Sequence, residues 1–231
     1  MPSNTRAHAS SSRVRPDALA LFATATATAI AAPPAQAQES PWRVYAGGAH
    51  IGFSTSAEIR AGGQPVPGAN AEATSNRSLA FGLIYDIQPG WSAELALGLP
   101  PTTRLVGTGT LAGAGVLGRV KYGPAVLSVR RDLLADGPVI PYVGAGVNYT
   151  LVMASRDGFV SDLKVKSGVG PVLQAGLEVP MNGQWSLFFD AKKIWLSTTA
   201  TGTLPALGGV PAHAKVRLNP LVLTAGLSYR F

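Results

Sequence analysis

The sequence predicts an all-β chain, an eight-stranded antiparallel up-and-down transmembrane β-barrel. Three observations carry this. Roughly eight strand-length stretches follow one another, all but the first alternating their faces with a period of two, the period at which strand side chains point to opposite sides of a sheet. The connections alternate in length, long after the first, third, fifth and seventh stretches and short after the second, fourth and sixth. Membrane barrels have that arrangement, with long loops at one rim and short turns at the other. The last stretch also runs to the final residue: Leu221, Leu223, Ala225, Leu227, Tyr229 and Phe231 form an apolar stripe that ends in two aromatic rings. A soluble sandwich or a soluble ligand-binding barrel accounts for the first observation but gives no reason for the second. Closure follows from the solvent, because hydrocarbon offers no partner for an open sheet edge.

The elements follow in order. Arg6, Arg13 and Arg15, an uncharged Ala18–Ala32 stretch and Ala35-Gln36-Ala37 have the layout of a secretory signal peptide over residues 1–37, leaving residues 38–231 as the barrel. The 231-residue chain carries 19 Lys and Arg against 12 Asp and Glu; losing three arginines and Asp17 with the leader leaves a net charge of +5. That modest excess favours anionic surfaces such as lipopolysaccharide phosphates. No basic patch interleaves with aromatics, so nucleic acid is not an expected partner. There is no cysteine, so no disulfide holds the fold.

The first strand, Trp42–Phe53, alternates poorly, and Ser54–Ser75 reads as a long loop. The second sets Leu79, Phe81, Leu83, Tyr85 and Ile87 against Ser78, Ala80, Gly82, Ile84 and Asp86. Gln88-Pro89-Gly90 is a tight turn into the third, with Trp91, Ala93, Leu95, Leu97 and Leu99 against Ser92, Glu94, Ala96 and Gly98. Pro100–Leu117 reads as the second long loop, Arg119–Arg131 as the fourth strand and Asp132–Gly137 as a short turn. The fifth strand, Pro141–Leu151, places Val143, Ala145, Val147 and Tyr149 opposite Tyr142, Gly144, Gly146 and Asn148. Ala154–Lys166 is the third long loop, Pro171–Val179 the sixth strand, Met181-Asn182-Gly183 a turn, and the seventh strand starts at Trp185. Thr201–Ala212 is the fourth long loop. Tyr45, Tyr85, Trp91, Trp185 and Tyr229 are expected in an aromatic girdle at the short-turn rim, with Tyr149 and Trp195 toward the other.

The inward faces bring charge into the lumen: Asp86, Glu94, Arg130, Gln174, Glu178, Asp190, Lys192 and Arg230. An eight-stranded barrel is barely wide enough for its own side chains, so these groups must pair. They form either a plug or a polar base beneath an apolar pocket that sends a solute sideways. Gly144, Gly146 and Gly226 either widen the passage or accommodate strand twist. His50 and His213 stand alone, and no nucleophile, metal or dinucleotide spacing appears; no catalytic residue, cofactor or metal is expected.

Pro141–Thr150 (PYVGAGVNYT), Leu196–Ala200, Val216–Pro220 and the Tyr229-Arg230-Phe231 ending together resemble the OmpW family of outer-membrane proteins, including its AlkL type, over the whole mature chain. The resemblance implies an eight-stranded barrel in the outer membrane, with a narrow, largely apolar lumen that passes small hydrophobic molecules. It also implies that the last strand, with Tyr229 and Phe231, is read by the barrel-assembly machinery. The first long loop here is Pro/Gly/Ala-rich and the third has few large apolar residues, so gating and solute choice do not carry over. A sealed barrel acting through its loops or stabilising the membrane fits the same residues. Finally, Lys193, Lys215 and Arg217 break their apolar stripes near the long-loop rim, Lys193 roughly 20 Å above Trp185 at ordinary strand rise and tilt. They are candidates for a lipopolysaccharide-binding rim.

Overall fold

A computed structural model of the chain describes residues 40–134 and 137–231. The expected signal peptide lies outside the described residues. Fifteen strands follow in order: β1 (Trp42–Gly52), β2 (Ser56–Ala61), β3 (Gln64–Pro65), β4 (Ala69–Ala73), β5 (Asn76–Gln88), β6 (Trp91–Gly98), β7 (Thr102–Gly109), β8 (Val116–Asp132), β9 (Ile140–Asp157), β10 (Ser161–Val165), β11 (Gly168–Pro180), β12 (Trp185–Ile194), β13 (Ser197–Leu204), β14 (Val210–Arg217) and β15 (Leu221–Arg230).

Eight of them are the staves. The ring runs β1, β5, β6, β8, β9, β11, β12, β15 and back to β1, every pair antiparallel. The first and last strands close it, from Arg43↔Arg230 to Gly52↔Leu221. The pleat then does the sorting. Leu79, Phe81, Leu83, Leu95, Leu97, Leu127, Val147, Leu173, Phe189 and Leu223 stand exposed on the outer wall, while Ile84, Glu94, Val126, Asn148, Val172 and Asp190 are buried inside.

The four stretches read as long loops are mostly strand. Beyond the staves, β4 and β7 extend the edge of β8. A second sheet runs in the order β10-β13-β14-β2-β3. β4, β7 and β13 are rich in Ala, Gly and Thr, and β2, β10 and β14 mix charged with small residues, so hydrophobic contrast is weak; pairing with neighbours decides them, not propensity.

The first strand also differs from the expectation. Tyr45 is not in the girdle: it points inward and is 8% exposed. The outward residue is Trp42, whose ring lies 4.7 Å from that of Tyr85. Trp185 and Tyr229 pair at 4.9 Å, and Tyr229 meets Phe231 at 5.5 Å. Trp91 lies under the Arg131 guanidinium at 5.2 Å. The inner glycines do not widen a passage. Cβ atoms on Gly144, Gly146 and Gly226 would run into the carbonyls of Val129, Leu127 and Ala46. At Gly82 and Gly176 they would run into the rings of Tyr45 and Tyr142, so those two glycines make room for inward-lying aromatics.

Two outcomes follow. Leu97 is 48% exposed on the outer wall, so Leu97→Arg should lower stability in lipid bilayers by about 2–4 kcal/mol if it lies near the midplane, read from urea unfolding. Phe231 donates its N–H to the Trp42 carbonyl at 3.3 Å across the closing seam. Deleting it should lower the fraction of heat-modifiable barrel on gels.

Candidate functional site

The lumen is built in tiers, and the lowest is ionic. Glu94 on β6 is 1% exposed. One carboxylate oxygen accepts from the Tyr45 hydroxyl at 2.8 Å and lies 2.9 Å from Lys192 Nζ. The other accepts from Gln174 Nε2 at 2.7 Å and lies 3.5 Å from Arg130. Asp190 takes the Lys192 ammonium at 2.7 Å, the Tyr142 hydroxyl at 2.9 Å and Gln174 Nε2 at 3.0 Å. Nearer the short turns, Arg43 bridges Asp86 and Glu178, each at 2.7 Å. Glu178 also accepts from Ser228 at 3.0 Å and faces Arg130 at 3.6 Å, while Arg230 reaches Asp86 at 3.0 Å. Ser128 donates to Gln174 at 2.8 Å, and the Arg130 guanidinium lies 3.7 Å over the Tyr142 ring.

All eight polar residues singled out from the sequence therefore lie in one network. Sequence reasoning missed Arg43, Tyr45, Tyr142, Ser128 and Ser228. Charge balance held the signal for the first of them. The sequence set has four carboxylates and three cations, and Arg43, in phase with Arg230 across the seam, is the fourth cation.

Above this floor the lumen turns apolar. Val126, Val172, Ile194 and Leu196 pack together with Leu218 and Val222. All of these but Val172 line a cavity of about 110 Å³ whose walls also include Ile51, Phe53, Tyr122 and Leu105. A second chamber of about 240 Å³ lies among the extension strands, lined by Ile59, Leu111, Leu117, Phe159, Leu163 and Leu204. The two share Leu105, Ala200 and Val216 as wall residues.

One side of the barrel is interrupted. Pairing of β6 with β8 ends at Leu97↔Ala125, and β8 resumes with β7 at Thr102↔Lys121. Between them stand Gly98, Leu99, Pro100 and Pro101 against Tyr122, Gly123 and Pro124, joined by a bond from the Tyr122 N–H to the Pro101 carbonyl at 3.2 Å. Three prolines carry no N–H, so a gap here leaves few donors unpaired in hydrocarbon. The lumen cavity reaches this gap: Gly98 and Pro124 line it, and so do the outward residues Leu79 and Leu97. On the outside, the Met153 side chain and Pro100 lie over Gly123, 3.2 Å and 3.7 Å from where its Cβ would be.

Of the proposed rim cations, Lys193 donates to the Asn219 carbonyl at 2.7 Å and Arg217 faces Glu58 at 3.6 Å. Lys215 stands in register between Thr199 and Glu58. Two of the three already have local partners. His50 and His213 are exposed, and no group of three metal-ligating side chains occurs among the described residues.

A closed eight-stranded barrel with an apolar outer wall, aromatic rings at one rim and an ionic floor belongs to the class of outer-membrane barrel proteins. The chain is a member of the OmpW family, whose model matches residues 43–231. It is 38% identical over 200 residues to the dibenzothiophene metabolism operon protein PahQ of Pseudomonas aeruginosa, covering 87% of this chain and 93% of that protein. It is 30% identical over 174 residues to outer membrane protein AlkL of Ectopseudomonas oleovorans, covering 75% and 74%. Among solved structures it superposes on OprG of Pseudomonas aeruginosa with a TM-score of 0.78 at 22% identity, over 84% of this chain and 97% of OprG. The structure of AlkL in DMPC bilayers matches with a TM-score of 0.66 at 28% identity, over 87% and 95%. The protein resides in the outer membrane.

The floor predicts its own energetics. Lys192→Met would leave Glu94 and Asp190 buried without their shared cation and should cost about 3–5 kcal/mol. Tyr45→Phe removes one hydrogen bond to a carboxylate and should cost about 1–3 kcal/mol. Urea midpoints of both variants in bilayers check the order; equal losses would mean that ion pairing is not what holds the floor.

Proposed function

We propose that this protein passes small, uncharged hydrophobic molecules through its upper lumen and releases them sideways into the membrane. The observation that carries this is the break in the wall at Gly98–Pro101 and Gly123–Pro124, at the level where the apolar lumen lies above a closed ionic floor. A hydrophobic solute gains nothing from the floor and would have to break desolvated ion pairs to cross it. The side gap offers an apolar exit instead. Size fits the reading. A dry apolar cavity of about 150 Å³ takes a benzene-sized molecule. The outer chamber, at about 240 Å³, exceeds that, and the lumen cavity, at about 110 Å³, is a little smaller. Passage of a molecule with one or two rings therefore requires a modest side-chain movement, and Met153, flexible and lying over the gap, is suited to it. One relative is named for a dibenzothiophene metabolism operon, which points to aromatic solutes as the first to test. In this reading the barrel positions no reacting groups and is a conduit, not an enzyme.

The test uses vesicles with lipopolysaccharide in the outer leaflet and a small aromatic hydrocarbon as solute, with a short sugar as control. Barrel-containing vesicles should take up the hydrocarbon faster than barrel-free ones and the sugar no faster. Gly123→Phe, which fills the gap against Met153 and Pro100, should cut hydrocarbon uptake severalfold with the barrel still heat-modifiable. Uptake by the wild type no faster than in barrel-free vesicles would leave the sealed-barrel reading standing.

A further inference from the structure

The outer wall carries a row of like charges that the folded chain does not neutralise. Arg104 on β7, Arg119 on β8 and Arg156 on β9 are direct register partners, Arg104↔Arg119 and Arg119↔Arg156. All three are exposed, and Lys121 stands exposed two residues along β8. Side chains directly opposite on neighbouring antiparallel strands have Cβ atoms about 5 Å apart, and like charges there are destabilising. No carboxylate among the described residues forms an ion pair with them. Glu58 and the floor carboxylates take the ion pairs recorded among the described residues, and the Asp157 carboxylate accepts from the N–H groups of Asp162 and Leu163. None of the three guanidinium groups has a side-chain hydrogen bond or ion pair within the described chain.

The height of the row is informative. Arg131, stacked on Trp91, marks the short-turn rim. From Arg131, Lys121 lies ten residues up β8 and Arg119 twelve. At about 3.3 Å per residue and a tilt of about 40°, these climb roughly 25 Å and 30 Å. The apolar band of such a barrel is about 25 Å tall. Lys121 therefore sits at its upper edge and the arginines just above, where outer-leaflet headgroups lie. Directly below, Leu151 and Met153 are exposed at 42% and 51% on the same wall of β9.

We propose that Arg104, Arg119, Arg156 and Lys121 bind the phosphate groups of a lipopolysaccharide molecule in the outer leaflet, with its acyl chains against Leu151 and Met153. A guanidinium row suits phosphate, which it can engage with paired hydrogen bonds. The apolar surface beneath selects an amphiphile over a soluble polyanion. The site lies on a different side of the barrel from Lys193, Lys215 and Arg217, two of which are already engaged.

The experiment embeds the mature barrel in phosphatidylcholine bilayers with lipopolysaccharide, with dephosphorylated lipopolysaccharide, or with neither. Retained lipopolysaccharide and the temperature of the heat-modifiability transition are measured. The wild type should be stabilised by lipopolysaccharide and little by the dephosphorylated form. The triple variant Arg104→Gln/Arg119→Gln/Arg156→Gln should retain lipopolysaccharide about ten-fold more weakly, the loss of one charge-assisted hydrogen bond or more. In phosphatidylcholine alone it should be no less stable than the wild type, because it has lost repulsion and no partner. Arg119→Gln, at the centre of the row, carries the same test with a smaller perturbation if the triple variant assembles poorly, and Arg217→Gln serves as the distant control. Undiminished retention by the row variants, or an equal loss in Arg217→Gln, overturns the site. Equal stabilisation of the wild type by soluble polyphosphate, or by dephosphorylated lipopolysaccharide, overturns the assignment to a phosphorylated lipid.

Discussion

The buried carboxylate of Glu94 sets the terms for the rest of the barrel. A charge at 1% exposure persists only where partners replace its water. Glu94 has four, from Tyr45, Gln174, Lys192 and Arg130, and they come from four other staves. Following the partners outward brings in Asp190 and Tyr142, then Arg43, Glu178, Ser228, Asp86 and Arg230, until every one of the eight staves contributes a side chain. Four cations meet four carboxylates. Such a network adds little net stability over a well-packed apolar plug. Its weight falls on register. A one-residue slip of any stave would turn its charges toward lipid and strand their partners inside, so the misregistered barrels are the ones the network penalises.

This floor also divides the lumen by chemistry. Charges close the end with short turns, and the apolar residues above them leave open space. A barrel that only needed filling could have carried Leu and Val throughout, and one that only needed a water path could have kept its charges apart. The wall break lies at the level of the apolar tier, and its composition shows how a membrane barrel tolerates an interruption. Pro100, Pro101 and Pro124 have no N–H to leave unpaired, and the Leu99 carbonyl is taken by the Ser78 hydroxyl at 2.6 Å. The same gap placed among Leu or Val residues would expose amide donors to hydrocarbon.

The staves and most of the floor were legible in the sequence because a charge on the face opposite a period-two apolar stripe points into the lumen. Asp86, Glu94, Gln174, Glu178, Asp190 and Lys192 all announce themselves that way. Tyr45 and Arg43 did not, because Ala46, Gly47 and Gly48 flatten the contrast of the first strand and leave its phase unset; Tyr45 was therefore placed on the wrong face. The extension strands failed for a related reason, since the Ala, Gly and Thr residues of β4, β7 and β13 look alike on both faces and the charged residues of β2, β10 and β14 read as loop. The cavities, the wall break and the arginine row depend on which residue stands opposite which. That information lies in the register between neighbouring strands, with shifts at Lys121/Tyr122 and Leu105/Val106 that no periodicity reveals.

One of those shifts lies beside both outward features of the same wall. The bulge between Lys121 and Tyr122 moves β8 by one residue relative to β9. β8 keeps one phase across it, with Arg119, Lys121, Leu127 and Val129 all outward, whereas β9 changes phase at Met153, from Leu151 and Met153 outward below to Ala154 and Arg156 outward above. Bulges re-aim side chains and commonly sit at barrel rims. Here the extra residue is Met153 on β9, and the shift it makes brings Arg119 opposite Arg156 on one edge of β8, while the proline gap lies on the other edge, toward β6 and β7. The proline gap and the cationic row thus flank the same stave, and a lipid held by that row would lie beside the gap.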